Sequence, residues 1–379
     1  MISAWTRRAS AWALVLAALA GPFSAQAGEP VCGQGPLMAR PVGVGLYELA
    51  YSPTHQSLYV AVSGGFDEQA PPARVARLDP ETLQEQSGLL LPYKVFGLAL
   101  DEGQGRLYAG YSLEGRISVI DVQRWGRLAD IEVSPKPPGA PRAEHDLRAL
   151  VLDTAARRLY VPGLSAEGSV LFVIGLDSLR VEARLDGLGF YPTGLALDAE
   201  GGRLFVSNMG GEILQIDTQA LRITQRWRIG GLEQPVGLAY DAARNRLYVA
   251  DQGMASIRDW QARVLPGFVS RHDGNRILAL DASDGRVLAE VPTQANPLAL
   301  HVESSQGRVY VTERGAGSVA VFDADTLERL QDWHTGDLPN SLAVDGEHGR
   351  LWVSLKQPRE AGRLAMEQVA CLMVRHPDR

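Results

Sequence analysis

The sequence predicts an all-β protein, a seven-bladed β-propeller of four-stranded antiparallel blades whose ring is closed by strands from both chain ends. Three observations carry that expectation. One strand pattern recurs seven times, it recurs at steps of 42 to 62 residues, and the two cysteines, Cys32 and Cys371, lie near opposite ends of the 379-residue chain. A sheet of about 45 residues cannot bury both faces alone, whereas radial stacking of such sheets buries them and leaves only short edges.

The first element is an address. Arg7 and Arg8 precede a mostly apolar run from Ala11 to Phe23, and Ala25-Gln26-Ala27 fits a small-residue cleavage site. The run is short for a bilayer core of about 30 Å. Residues 1–27 are therefore expected to be a cleaved signal peptide and 28–379 the propeller domain. Cleavage removes two arginines and no acids, which takes the formal charge from -7 to -9.

The repeats follow in order. Each has a first strand of Gly-Leu-Ala character and a second that reads Arg-Leu-aromatic-Val or a close variant of it, such as Ser57-Leu58-Tyr59-Val60 and Arg308-Val309-Tyr310-Val311. The aromatic falls at Tyr59, Tyr108, Tyr160, Phe205, Tyr248, Tyr310 and Trp352. A third strand ends in a hydrophobic-Asp pattern, as at Ile117 to Asp121 and Val319 to Asp323, and a fourth follows a tight turn, as at Val287 to Val291. The runs are short, alternating, and rich in β-branched and aromatic residues, as half-buried strands require. No stretch shows sustained helical spacing. The aspartates 101, 153, 198, 241 and 345 share one turn position, where Asp caps backbone N–H groups.

Blade seven lacks its own fourth strand. Val369 to Val374 is the best candidate for its third, so Leu37 to Val42 is expected to supply the fourth from the N-terminus. Cys32 and Cys371 then meet across the closure as a disulfide, with a chain-entropy ceiling of roughly 5 kcal/mol. A free thiol or a pair of metal ligands is the alternative.

Loop lengths separate the faces. The turns after the first and third strands are short. The long insertions, 64–73, 134–146, 252–274 and 356–368, all belong to the other two connections, which share a face. Repeat arrays place insertions on their binding face, so the site is expected there, around the channel mouth. Departures from the repeat name the candidates. The residue two before the first-strand Leu reads Tyr47, Phe96, Arg148, Thr193, Val236, Leu298 and Asn340, with one charge among them. Glu48 replaces a small residue, His301 replaces an Ala, and His145 and Asp146 lead into the third blade. The 252–274 insertion carries Trp260, Arg271 and His272. Together these offer a partly cationic pocket with aromatic walls, suited to an anionic or aromatic ligand. An ion pair between Arg148 and Glu48, with solvated insertion charges, is the competing reading.

Catalytic signals are weak. Seven scattered histidines show no HxH or HExxH spacing, and no nucleophile elbow, dinucleotide fingerprint or phosphate-binding loop occurs. No cofactor is required by the sequence. The acidic charge argues against general nucleic-acid binding.

Tyr310-Val311-Thr312-Glu313 and Phe205-Val206-Ser207-Asn208, with the strand Val319 to Asp323, resemble the YVTN β-propeller repeat. With the export signal, residues 42–375 resemble the periplasmic YncE-like proteins. The resemblance implies a mostly non-enzymatic periplasmic protein linked to metal limitation and TonB-dependent siderophore or metal uptake, whose partner is a periplasmic or outer-membrane protein or a small molecule. It also implies single-stranded DNA binding as one alternative. A metal-assisted hydrolase or lyase built on Glu48 and His301 is the other.

Overall fold

The computed structural model describes residues 31–33, 35 and 37–374; the signal-peptide expectation for 1–27 lies outside them. Seven sheets form the molecule, each with four strands in sequential antiparallel order, the first of blade three being split in two. Blade one runs from Leu46–Ser52 to Glu85–Leu90, blade two from Gly97–Asp101 to Gly126–Glu132, and blade three from Asp146–Leu147 to Arg180–Asp186. Blades four, five and six begin at Pro192–Asp198, Pro235–Asp241 and Pro297–Glu303. Blade seven takes Leu338–Asp345, Arg350–Lys356 and Glu367–Met373 from the C-terminal part of the chain and Leu37–Gly43 from the N-terminal part. The β-propeller expected from the repeats is the fold observed.

The recurring motif earns its place through contacts between blades. The second-strand aromatics are all buried. The arginine that opens the second strand reaches into the next blade: Arg106 donates to the Leu176 carbonyl, Arg158 to Thr218, Arg203 to Ala282 and Arg246 to Ala324. Tyr248 and the Trp352 indole reach the following blade in the same way, at Ala324 and Pro80. A belt of charge-assisted bonds thus satisfies carbonyls at the ends of neighbouring third strands. The turn aspartates cap as expected: Asp101, Asp153, Asp198 and Asp345 accept the backbone N–H three residues on.

Small residues in the first strands allow close approach of the blades. A Cβ on Gly97 would lie 2.2 Å from the Leu150 side chain of blade three, and one on Gly237 would lie 2.3 Å from the Leu298 carbonyl of blade six. The Leu150 and Leu238 side chains of the following blades occupy the space beside Gly97 and Gly194.

The closure matches the expectation. Leu37–Gly43 pairs antiparallel with Glu367–Met373, with Met38 opposite Cys371. Cys32 and Cys371 form a disulfide, Cα atoms 5.8 Å apart, and the Cys32 N–H also bonds the Glu81 carbonyl of blade one.

One expectation needs correction. The insertion of blade five contains a helix, Ala255–Val264. Its buried anchor is Gln261, whose amide donates to the Met209 and Glu233 carbonyls at 2.8 Å each. Ile257, Trp260 and Val264 share one face, but three large apolar residues in a ten-residue helix are too few for hydrophobic periodicity to register. Among the described residues no helix is long and apolar enough to cross a membrane.

Candidate functional site

The channel mouth on the insertion face is shaped by a repeated irregularity. In blades one, four, five, six and seven the first strand slips register by one residue near its start, between Leu46 and Leu49, Pro192 and Gly194, Pro235 and Gly237, Pro297 and Leu300, and Pro339 and Leu342. A bulge of this kind frees a residue from the ladder and re-aims it. In three of the five blades a proline opens the strand, where its missing N–H costs nothing, and in blade seven Pro339 is the second residue. The freed segments include Tyr47, Thr193, Val236, Leu298 and Asn340, members of the ring picked out by sequence register.

One arc of that ring gathers charge and aromatic surface. Tyr47 packs against Phe96 with ring centroids 4.6 Å apart, and Phe96 lies 6.0 Å from Phe66, which is 58% exposed at the rim. The Lys356 ammonium sits 3.8 Å from the Tyr47 ring centroid and 3.3 Å from the Glu367 carboxylate. Glu367 also accepts the Leu46 N–H. Arg314, in the turn Arg314–Ala316 of blade six, donates to the Asn340 side chain. Arg148 is exposed on blade three, and among the described residues neither Arg148 nor Arg314 has a carboxylate partner.

The electrostatics follow from the crowding. Burial pushes the Lys356 ammonium down to about 8, against Glu367 and with Arg314. Burial also lowers Arg314, with the Tyr47 hydroxyl and Glu367 opposing. The Tyr47 hydroxyl is raised by burial, while Arg148 and Arg314 pull it back and Glu367 adds to the rise. The site is thus short of negative charge. On the blade-one and blade-seven insertions a cleft of about 650 Å³ is lined by Asp67, Gln69 and residues 361–365.

Of the residues named from sequence, Tyr47, Phe96, Arg148 and Asn340 belong to this arc. Glu48 lies just below Tyr47 on the same strand. It does not pair with Arg148; the Ser341 hydroxyl of blade seven donates to it, and burial raises its carboxyl. The others sit elsewhere. His145 is buried between Ser134 (3.0 Å), the Gly168 carbonyl (3.1 Å) and the edge of Phe172. Asp146 is buried and paired with Arg142 at 3.0 Å. Both secure the connection into blade three. Trp260 packs its helix on Phe190 and Tyr191, at 4.9 and 5.1 Å. Arg271 donates its backbone N–H to Glu233, and His272 accepts the Gly274 N–H at 2.9 Å. His301 lies on the first strand of blade six, 6.2 Å from Tyr310, with its pKa lowered by burial. Glu48 and His301 are therefore on different blades. Among the described residues, no group of three or more His, Cys, Asp or Glu is placed to hold a metal ion.

Sequence reasoning missed Arg314, Lys356, Glu367 and Phe66. The one available signal was that Lys356 opens an insertion in a chain with three lysines.

The fold and its repeat define the class, a seven-bladed β-propeller of YVTN type. No protein-family model matches the chain. It is 30% identical over 351 residues to protein YncE of Escherichia coli (strain K12), covering 88% of each chain. It is 28% identical over 358 residues to YncE of Salmonella typhi, covering 89% of each. The chain belongs to the YncE family. A chain of Kuenenia stuttgartiensis hydrazine synthase superposes with a TM-score of 0.68 over 88% of this chain and 96% of that one, at 15% identity, which speaks to the fold alone.

Proposed function

We propose that this protein is an exported, periplasmic binding module that takes an anionic aromatic small molecule at the mouth formed by blades six, seven, one, two and three. The observation that carries the reading is the pair of guanidinium groups, Arg148 and Arg314, that lack carboxylate partners among the described residues beside the Tyr47–Phe96–Phe66 aromatic wall. A planar guanidinium pairs with a carboxylate or catecholate through parallel hydrogen bonds, and aromatic faces hold a ring beside it. Catecholate siderophores have this chemistry, and such a ligand would tie the protein to TonB-dependent metal uptake. A rigid ring with its insertions on one face supports a binding role.

The test is a thermal-shift titration of the mature protein with 2,3-dihydroxybenzoate, with uncharged catechol as control. Ligand at a hundred times its Kd stabilises the native state by about 2.7 kcal/mol. The expected result is a rise in Tm with the acid, a smaller one with catechol, and loss of the difference in Arg148→Ala/Arg314→Ala. Equal shifts in wild type and variant would exclude this mouth as the site.

A further inference from the structure

Lys356 plays no part in the anion recognition described above, and its surroundings are unusual for a lysine. The chain has three lysines. Lys136 pairs with Glu114 at 2.8 Å with a third of its side chain in solvent, and Lys94 donates to the Gly65 carbonyl. Lys356 is 8% exposed. Three groups face its ammonium: Glu367 from the third strand of blade seven, Tyr47 from the first strand of blade one and Arg314 from the turn of blade six. Glu367 is shared, because its Oε2 also accepts the Leu46 N–H. A desolvated amine beside a second cation is the arrangement that turns lysine into a nucleophile.

We propose that Lys356 is a carbonyl-reactive amine that captures an anionic aromatic aldehyde in the mouth as an imine. Selectivity for an anionic aldehyde rests on the ligand reading above, whereas the reactivity of the amine rests on the Lys356, Tyr47, Glu367 and Arg314 cluster alone. The step balances without any oxidant or reductant. The ammonium passes a proton to Glu367, 3.3 Å away. The free Nζ lone pair attacks the carbonyl carbon, and the proton lost by nitrogen ends on the former carbonyl oxygen as a carbinolamine forms. Glu367 returns its proton to that hydroxyl, which leaves as water as the C=N bond forms, and the iminium proton goes to solvent. With the amine at about 8, about a quarter is unprotonated at pH 7.5, against about 0.1% for an ordinary lysine, roughly two-hundredfold more free amine.

The experiment is reductive trapping on the whole mature protein. Protein is incubated with 4-formylbenzoate and sodium cyanoborohydride from pH 6 to 10.5, and the labelled lysines are mapped by peptide mass. Expected is labelling of Lys356 at least tenfold faster than Lys136 at pH 7.5, with a midpoint near pH 8, and loss of the fast label in Lys356→Arg. The site map and pH profile of the wild type need no variant, so they decide the matter even if Lys356→Arg fails to fold. Even labelling across the three lysines, or a Lys356 that stays silent until pH 10, overturns the proposal. Neutral benzaldehyde separates the two readings. If it labels Lys356 as fast as 4-formylbenzoate, the amine is reactive but selectivity for an anion is wrong. If neither labels Lys356 preferentially while 2,3-dihydroxybenzoate still raises Tm, the amine proposal fails and ligand binding stands.

Discussion

Arg203 tests how strongly one blade is tied to the next. Its guanidinium donates to Asp198 at 2.8 Å within its own blade, and to the Ala282 carbonyl, the Asn245 side chain and the Tyr240 hydroxyl of blade five at 2.9, 2.8 and 2.9 Å. It also lies 5.5 Å from the Phe205 and Tyr240 ring centroids. Arg203→Ala leaves Asp198, 6% exposed, and the carbonyl of fully buried Ala282 without this donor. A hydrogen bond to a charged group contributes about 1.5–3 kcal/mol. Breaking a fully buried ion pair costs about 3–5 kcal/mol. The arginine side chain is 22% exposed, so water recovers part of the loss, and the expected destabilisation is about 3 kcal/mol. Arg203→Lys keeps a cation for Asp198 but not the fork into blade five, for an expected loss of about 1.5 kcal/mol. Arg124, 83% exposed and 3.8 Å from Asp121, is the control, and its alanine variant should cost under about 0.5 kcal/mol. Urea unfolding at pH 7 measures all three. A loss below about 1 kcal/mol for Arg203→Ala, or a lysine variant as unstable as the alanine one, would refute the belt.

Three further outcomes are expected. Cys32→Ser/Cys371→Ser should lose about 2–5 kcal/mol in denaturant unfolding, and a reductant should lower wild type to the same midpoint while leaving the variant unmoved. Glu48 has a carboxyl raised by burial, so the folded state holds its proton more tightly than the unfolded one. Its contribution is complete below the ordinary glutamate range and is lost as pH rises through the raised value. Wild type should therefore lose Tm relative to Glu48→Gln between pH 4 and 8, and a constant difference would contradict this. Gln261→Ala removes the donor for two carbonyls at about 1–3 kcal/mol, and limited proteolysis should then cut within 252–274 before any other segment.

The architecture was legible because its signal is redundant. The second-strand pattern recurs in register, and in blades two to five its arginine bonds a carbonyl of the next blade while the aromatic is buried. The mouth was legible only where it shares that register, at Tyr47, Phe96, Arg148 and Asn340. Lys356 and Glu367 flank an insertion, and Arg314 lies in a turn of another blade, so their meeting with Tyr47 is a product of ring closure that no local spacing encodes. The bulges add one residue each, and the proline beside four of them marks a strand start rather than a slip in register. His145 and Asp146 stood out because they break the pattern of blade three, yet the break serves a buried connection. The helix escaped notice because it is short, held by the Gln261 amide and the Trp260 ring rather than by a long apolar stripe.

The seam between the last and first blades has a consequence for the order of events in the life of the chain. Tyr47 comes from near the start of the described chain, and Lys356 and Glu367 from near its end. The cluster they form comes into being only when the two ends have met, with Met38 opposite Cys371 and the disulfide alongside. A chain still emerging has blades but no such cluster. A ligand bound there as proposed would act as a second clasp on the joint that the disulfide fastens.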